Sequence, residues 1–229
     1  MTRAIGIDLS KWDVSFDPAK ATMPIDFAIQ RASYAKIRDQ AFDKIYEGVA
    51  KVGITGSYHY LSTGISWQEQ ADFFLEIVEG RGFGFYVCDF EGAYNAMSIK
   101  FAMEANQWMD YVARATGKPV LLYTNPNLYD LYAWHYCAGW PLWIAQYWLF
   151  PSPNKNPGMP KRRKDWNIWQ FSADRNRKSA AYGCGARSVD INVYNGTVDN
   201  MKSWLGVDQT IHPIRERQCP YPICAVDNK

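Results

Sequence analysis

Apolar and polar positions follow two different periods along the chain. Short apolar runs predict buried strands, and longer stretches with apolar residues every three or four positions predict helices. The predicted strands are residues 4–8, 25–31, 54–61, 83–87, 120–124, 142–148, 166–171 and 189–194. The first five are mostly followed by predicted helices, and the last three are not.

The boundaries of the predicted helices have their own signals. Residues 41–52 place apolar side chains on one helical face, and Gly53 is typical of a helix C-terminus. Ser66 and Glu69 form a capping box before the next helix, and Ser98 begins a longer one. Strands and helices therefore alternate through the first part of the chain.

This order of elements predicts an α/β fold. Eight strand units within residues 1–206 fit a single irregular TIM-like barrel better than a doubly wound sheet. About five β/α units would be followed by three strands with few helices. Residues 207–229 are predicted to be a C-terminal tail, because so short and polar a segment rarely folds alone.

The composition narrows the functional classes. The chain has 229 residues, of which 48% are hydrophobic, so a large core is expected. A net charge of +2 argues against nucleic-acid binding. The five cysteines show no zinc spacing, although Cys219 and Cys224 could close a small loop. Neither a signal peptide nor an apolar run of membrane-spanning length is recognised, so a soluble chain without membrane insertion is expected.

Acidic residues concentrate where strands are predicted to end. Asp8 ends the first strand, Asp89 and Glu91 follow the fourth, and Asp190 is assigned toward the end of the last. In a parallel barrel these ends form the reactive face. Asp26 begins its strand and belongs to the opposite face.

Four carboxylates around one opening suit glycoside cleavage. One acid must keep its proton to protonate the leaving oxygen, and another must be ionised. Crowded like charges raise one pKa and so supply the proton donor. The alternative is that these acids are solvated strand ends, or ion pairs with Arg31 or Lys11.

The chain also resembles a known family, glycoside hydrolase family 25, the Chalaropsis-type lysozymes or N-acetylmuramidases. The resemblance extends over about 200 residues as an ordered series of short motifs. They are GIDLSKW (6–12), QRAS (30–33), GSYHY (56–60), EQA (69–71), DFE (89–91), LYT (122–124), PLWIA (141–145), IWQ (168–170) and VDIN (189–192).

The resemblance implies hydrolysis of the β-1,4 bond between N-acetylmuramic acid and N-acetylglucosamine in bacterial peptidoglycan, with retention of configuration. It implies Glu91 as general acid/base and Asp89 as nucleophile or as the group that orients the substrate's acetamido group. Asp8 and Asp190 would set the pKa values and hold the floor. No metal and no cofactor are implied.

Four further residues near strand ends are candidates for lining the sugar subsites: Tyr58, Tyr123, Trp143 and Gln170. Ordinary barrel packing is the alternative for each. His59 alternates with Tyr58 and is expected to face the helices. The basic run at residues 161–164 is expected on the cleft face, either as a solvated loop or as an attraction for wall phosphates.

No separate wall-binding domain is recognised after the barrel. No signal peptide is recognised either, and together these observations suggest a monomeric phage enzyme. It would be an endolysin that is made in the host cytoplasm and reaches the wall through holin-type lesions, or it would be a virion-associated enzyme. Two other hypotheses remain open: a glycan-binding barrel without turnover, and a related barrel glycosidase that acts on chitin.

Overall fold

The structure is a computed structural model that describes residues 2–13, 15–92, 96–173 and 177–206. These residues form one nine-stranded sheet. The strands are β1 (Ile5–Leu9), β2 (Phe27–Tyr34), β3 (Ile37–Arg38), β4 (Ile54–Tyr60), β5 (Phe85–Asp89), β6 (Val120–Thr124), β7 (Leu142–Ala145), β8 (Ile168–Ser172) and β9 (Asp190–Tyr194).

Eight of these strands close into a barrel. Their order is β1-β9-β8-β7-β6-β5-β4-β2, and β1 also pairs with β2, which completes the ring. The short β3 lies outside the ring and pairs antiparallel with the end of β2. The predicted irregular TIM-like barrel is therefore confirmed. We call the end where the parallel strands finish the mouth, and the other end the base.

The last strand runs in the opposite direction from the rest of the ring. β9 is antiparallel to both β8 and β1. A parallel return needs a crossover to the other end of the sheet, usually a helix. Between β8 and β9 the described residues contain only a 3₁₀ helix, Ser179–Tyr182, so β9 begins at the mouth. Asp190 is the first residue of its strand, and the prediction that it lies toward the strand's end was wrong.

Helices cover the outside of the parallel strands, apart from the last helix, which lies at the base. They are α1 (Phe42–Val49), α2 (Trp67–Val78), α3 (Ile99–Thr116), α4 (Pro126–Leu128), α5 (Trp134–Cys137) and α6 (Val198–Leu205). A short π helix, Tyr129–Ala133, joins α4 to α5. Ser66 and Ser98 begin α2 and α3 as predicted, because their hydroxyls accept the otherwise unpaired amides of Glu69 and Phe101.

Side chains that point into the barrel fill the half of it next to the base. Phe27 and Phe85 are fully buried there. Their rings need glycine on the neighbouring strand, since a Cβ at Gly6 would lie 2.3 Å from the Phe27 ring and one at Gly56 would lie 2.5 Å from the Phe85 ring. The barrel is therefore a packed core that opens only at its mouth.

The helix α6 closes the base. The Trp204 ring stacks on Tyr194 with centroids 5.9 Å apart, and Thr197 begins the helix with a capping box. Asp26 lies at this end, as predicted, where its Oδ2 accepts the amide of Ile5 at 2.8 Å. The polar surface of the mouth and the apolar base are thus separate.

The part of the chain that the structure describes contains neither a membrane-spanning helix nor a cluster of metal ligands. None of its helices is both long and apolar enough to cross a membrane. No cluster of three or more histidine, cysteine, aspartate or glutamate residues there could hold a metal ion.

Candidate active site

The mouth brings together the acids that strand-end positions predict. Asp8 lies one residue before the end of β1, and the strand register pairs it with Asp190 of β9. Asp89 ends β5, and Glu91 follows two residues later. The charge of Asp8 acts on both Asp89 and Glu91. Acids from three separate parts of the sequence therefore share one opening.

Asp8 is held beneath the opening by two side-chain amides. Its Oδ2 accepts hydrogen bonds from Gln170 Nε2 at 2.8 Å and from Asn192 Nδ2 at 2.7 Å. The same Gln170 nitrogen also donates to Asp190 Oδ2 at 3.2 Å, so one amide joins two carboxylates. Burial raises the pKa of Asp8 to about 6, and the two amide donors oppose that rise.

Asp89 and Glu91 form the centre of the acidic group. Asp89 is 4% exposed, and its Oδ1 accepts no hydrogen bond from the described residues. Burial raises the pKa of Asp89 well above its ordinary value, and the charges of Glu91 and Asp8 raise it further. Burial and then Asp8 also raise the pKa of the half-buried Glu91. The carboxyl groups of the mouth, taken together, therefore keep a proton at a pH where isolated carboxyl groups have lost theirs.

Arg31 places a positive charge beside these acids. It projects from β2, and its Nε donates to Asp39 Oδ2 at 2.7 Å in a largely buried ion pair. Its charge opposes the rise in the pKa values of Asp89 and Glu91. Arg31 was a candidate ion-pair partner for the four acids, but its hydrogen-bonded partner is Asp39.

The predicted sugar-binding residues form the floor of the mouth. Tyr58, Tyr123, Trp143 and Gln170 all point inward, and each is at most 8% exposed. Tyr123 donates its hydroxyl to Gln170 Oε1 at 2.9 Å, and Trp143 Nε1 donates to Asn192 Oδ1 at 2.8 Å. These contacts orient the two amides that hold Asp8. Direct contact of the four residues with a sugar stays a prediction.

Sequence reasoning missed three contributors to the mouth. Asn192 lies two residues after Asp190, so strand alternation could have placed it on the same face. Tyr147 is in step with Trp143 in the predicted strand, and its hydroxyl donates to Gln170 Oε1. Asp13 gave no signal in the sequence. It lies in the turn after β1, and only its burial in the structure distinguishes it from an ordinary solvated acid.

Solvent-facing aromatic surface at the rim comes from other residues. Trp12 follows β1 and is 72% exposed, and Tyr34 ends β2 and is 43% exposed. Tyr34 packs edge-on against Tyr60, with ring centroids 5.0 Å apart. Tyr60 pairs with Asp89 in the strand register, which places aromatic rings beside the acids. Such rings are suited to stacking on the flat faces of sugars.

Two other candidates face the helices, as predicted. His59 is fully buried, with Nδ1 2.8 Å from Ser33 Oγ and its ring stacked on Trp108. Burial lowers the pKa of His59 to about 4, so it stays neutral. Cys88 is a buried free thiol whose pKa burial raises. The predicted Cys219–Cys224 loop lies outside the described residues.

The prediction that residues 161–164 lie on the cleft face was wrong. Arg163 is buried and donates to the carbonyls of Ala138 and Trp140, just before β7 begins. The amide of Lys161 donates to Asp130, next to the helical segment that follows β6. The connection between β7 and β8, which contains residues 161–164, takes the place of a crossover helix. It returns along the outside of the barrel toward the base.

The chain is an irregular β/α barrel with buried acids at its mouth, an arrangement that suits glycoside cleavage. Residues 7–180 match the family model described as "Glycosyl hydrolases family 25", and the chain belongs to this family. It is 28% identical over 215 residues to "Uncharacterized protein YegX" of Escherichia coli (strain K12), covering 90% of this chain and 75% of that protein.

Solved structures show the same fold. A family 25 glycosyl hydrolase from Bacillus anthracis has a TM-score of 0.74 at 22% identity, covering 88% of this chain and 93% of that one. The bacterial lysozyme from Streptomyces coelicolor has a TM-score of 0.70 at 21% identity, covering 90% and 99%.

Proposed function

We propose that the protein is a lysozyme, a 1,4-β-N-acetylmuramidase. Its substrate would be the β-1,4 bond between N-acetylmuramic acid and N-acetylglucosamine in bacterial peptidoglycan. Family membership and the fold shared with a bacterial lysozyme support this. The observation that carries the proposal is the group of four acids at one mouth. Burial raises the pKa values of Asp8, Asp89 and Glu91, and like charge raises those of Asp89 and Glu91 further.

Glu91 would act first as the general acid. It is less buried than Asp89 and follows the strand end, so it can approach a bound glycosidic oxygen. Its proton would pass to that oxygen as the bond to the sugar carbon breaks. The positive charge at the carbon would be stabilised by Asp89, either by direct attack or by orienting the substrate's own acetamido group.

The second half of the reaction would use the same residues in reverse. Glu91, now ionised, would remove a proton from a water molecule that attacks the same face of the sugar, so configuration would be retained. Asp8 and Asp190, joined by Gln170, would keep the local field negative and favour return of the proton to Glu91.

The decisive experiment compares Glu91→Gln with the wild type on purified peptidoglycan. Glu47→Gln is the matched control, because Glu47 is exposed on α1 and is none of the mouth residues described above. We expect Glu91→Gln to lower the release of reducing ends by about 10³-fold or more while Glu47→Gln leaves it unchanged. Equal melting temperatures would show that all three proteins are folded.

Mass spectrometry of the digest identifies the bond that is cut. Muramic acid at the new reducing ends supports a muramidase, whereas glucosamine there contradicts it. Preferential cleavage of chitin would favour the related-glycosidase hypothesis. Glycan binding without any turnover would favour the non-catalytic barrel.

We also propose that cleavage lyses the target cell and that the protein acts as a monomer. Loss of turbidity in a suspension of bacteria whose outer layers have been permeabilised tests lysis, and sedimentation tests the assembly state. Delivery through membrane lesions or within a virion stays a prediction from the sequence.

A further inference from the structure

A pocket lies at the rim of the mouth, outside the acidic group. Lys11, Trp12, Gln40, Ala41 and Lys44 line it. The first two residues belong to the turn after β1, and the last three to the start of α1 and the residues before it. Because β1 and β2 are neighbours in the ring, these two segments meet beside the opening.

One buried carboxylate fixes both walls of this rim pocket. Asp39 is 6% exposed. Its Oδ2 accepts the backbone amide of Lys11 at 3.0 Å, and its Oδ1 accepts that of Ala41 at 2.9 Å. The same Oδ2 also holds Arg31, whose charge acts on Asp89. Asp39 therefore connects both walls of the rim pocket to Arg31, which lies beside the acidic mouth.

The charge of the rim pocket is positive and uncompensated. Within the described ranges, no carboxylate lies in ion-pair distance of Lys11 or Lys44. The neighbouring Asp43 is already paired with Arg38 and Arg81. Two ammonium groups are thus left to attract an anion, while Asp39 is neutralised by its own ion pair.

The remaining surface of the rim pocket suits a small organic chain. The indole of Trp12 is largely exposed, with the Lys11 ammonium 4.7 Å from its centroid on one side. Gln40 offers both a donor and an acceptor to a peptide group. A carboxylate carried on a short peptide with small side chains matches this combination of cations, amide and apolar ring.

We propose that the rim pocket binds a carboxylate of the stem peptide attached to the muramic acid in the mouth. This inference rests on the proposed function. A stem peptide leaves the sugar next to the bond that is cut, so a sugar held in the mouth presents it to the rim at high effective concentration. A separate wall phosphate has no such tether, and two exposed lysines alone bind it weakly.

The test compares soluble glycan tetrasaccharides in three forms: with intact stem peptides, with the peptide carboxylates amidated, and without peptides. The variant is Lys11→Gln/Lys44→Gln, and the matched control is Lys51→Gln/Lys164→Gln, at exposed lysines away from the mouth. At low salt we expect the wild type to prefer the intact form over the peptide-free form by about tenfold in kcat/KM. The double variant should lose that preference and cleave the peptide-free form at the wild-type rate.

Other outcomes separate the two proposals. A preference that survives in the double variant, or that survives amidation, overturns the rim-pocket inference. A second comparison uses bacterial walls with and without their phosphate. If the wild type cleaves phosphate-containing walls faster and the double lysine variant does not, the rim-pocket inference is overturned as well. Failure to cleave any of the three forms instead contradicts the proposed muramidase activity.

Binding provides a readout that does not need turnover. Calorimetry with the Glu91→Gln protein should show weaker binding of the intact tetrasaccharide when Lys11 and Lys44 are also replaced. The peptide-free tetrasaccharide should bind equally to both proteins. Equal affinities for the intact form would count against the rim pocket.

Discussion

Asp8 is a carboxylate whose protonation depends on two amides. Burial raises its pKa to about 6, and the hydrogen bonds from Asn192 and Gln170 stabilise its ionised form. Removing one donor must therefore raise the pKa further. The residues that hold an acid should control the pH dependence as strongly as the acid itself.

We expect Asn192→Ala to shift the acidic limb of the activity profile to higher pH. The variant lacks one donor to Asp8, so Asp8 ionises only at a higher pH than in the wild type. The measurement is kcat/KM as a function of pH, with Asn154→Ala in an exposed loop as the control. An unchanged limb would mean that Asp8 does not govern it.

Asp13 is a second buried acid, and it should lower the stability of the folded protein at high pH. Its Oδ2 accepts the amide of Ser10 at 2.7 Å, but burial raises its pKa from 3.8 to about 7. The unfolded chain loses this proton near pH 4 and the folded chain near pH 7. The contribution of Asp13 to stability is therefore fully present below pH 4 and is lost as the pH rises from 4 through 7.

We expect Asp13→Asn to stabilise the protein at pH 8 by on the order of 2–4 kcal/mol, because the variant buries no charge there. At pH 3.5 most of the gain should disappear, since Asp13 is then neutral in the folded chain and mostly neutral in the unfolded chain. Urea unfolding at the two pH values measures the difference. A variant less stable at pH 8 would show that the hydrogen bond to Ser10 outweighs the burial of charge.

The strands show which parts of the site the sequence can predict. Alternation along β5 correctly separates the inward Asp89 from the outward Cys88, because the side-chain period of a strand is two. The position of Asp8 near the C-terminal end of β1 predicts its place at the mouth. Alternation does not encode direction, so the reversed β9 was not predicted and Asp190 was assigned to the wrong end of its strand.

Burial depth was the other limit of sequence reasoning. Trp143 and Trp12 are both tryptophans just inside or after a strand, yet one is 2% exposed and the other 72%. Strand pattern cannot distinguish them, since depth depends on how far neighbouring loops rise above the barrel. The sequence therefore did not show that Tyr58, Tyr123, Trp143 and Gln170 lie at the floor of the mouth, and it did not identify the exposed aromatic residues of the rim.

Packing within the barrel gives a prediction about β1. We expect Gly6→Ala to destabilise the protein by about 1–3 kcal/mol, because the new methyl group would overlap the buried Phe27 ring. Gly53→Ala is the control: no atom lies within 4 Å of its Cβ position and its φ is not positive, so its effect should be small. Thermal unfolding compares them. Equal stabilities would mean that Phe27 can move without cost.

The molecule as a whole has a barrel that α6 closes and a C-terminal segment beyond it. We propose that residues 1–206 are sufficient for folding and catalysis. A chain that ends after Gly206 should keep the melting temperature and the release of reducing ends of the full protein.

A chain that ends after Thr197 should behave differently. It lacks α6, so the buried Met201 and the Trp204 ring that covers Tyr194 are lost. Burying one such side chain contributes about 1.5–3 kcal/mol, so we expect a much lower melting temperature or no folded protein. Loss of activity already on ending after Gly206 would instead show that residues 207–229 contribute to the enzyme.

The reversed direction of β9 also determines on which side of the barrel a fusion partner or a solid support can be attached. A last strand parallel to the others would have released the chain among the catalytic loops, but here Tyr194 leads into α6 on the far side. A support, dye or second protein attached after Gly206 would therefore lie at the base of the barrel, opposite the mouth and the polymer that is cut there. Immobilisation through that point should therefore leave an insoluble substrate free access to the acids.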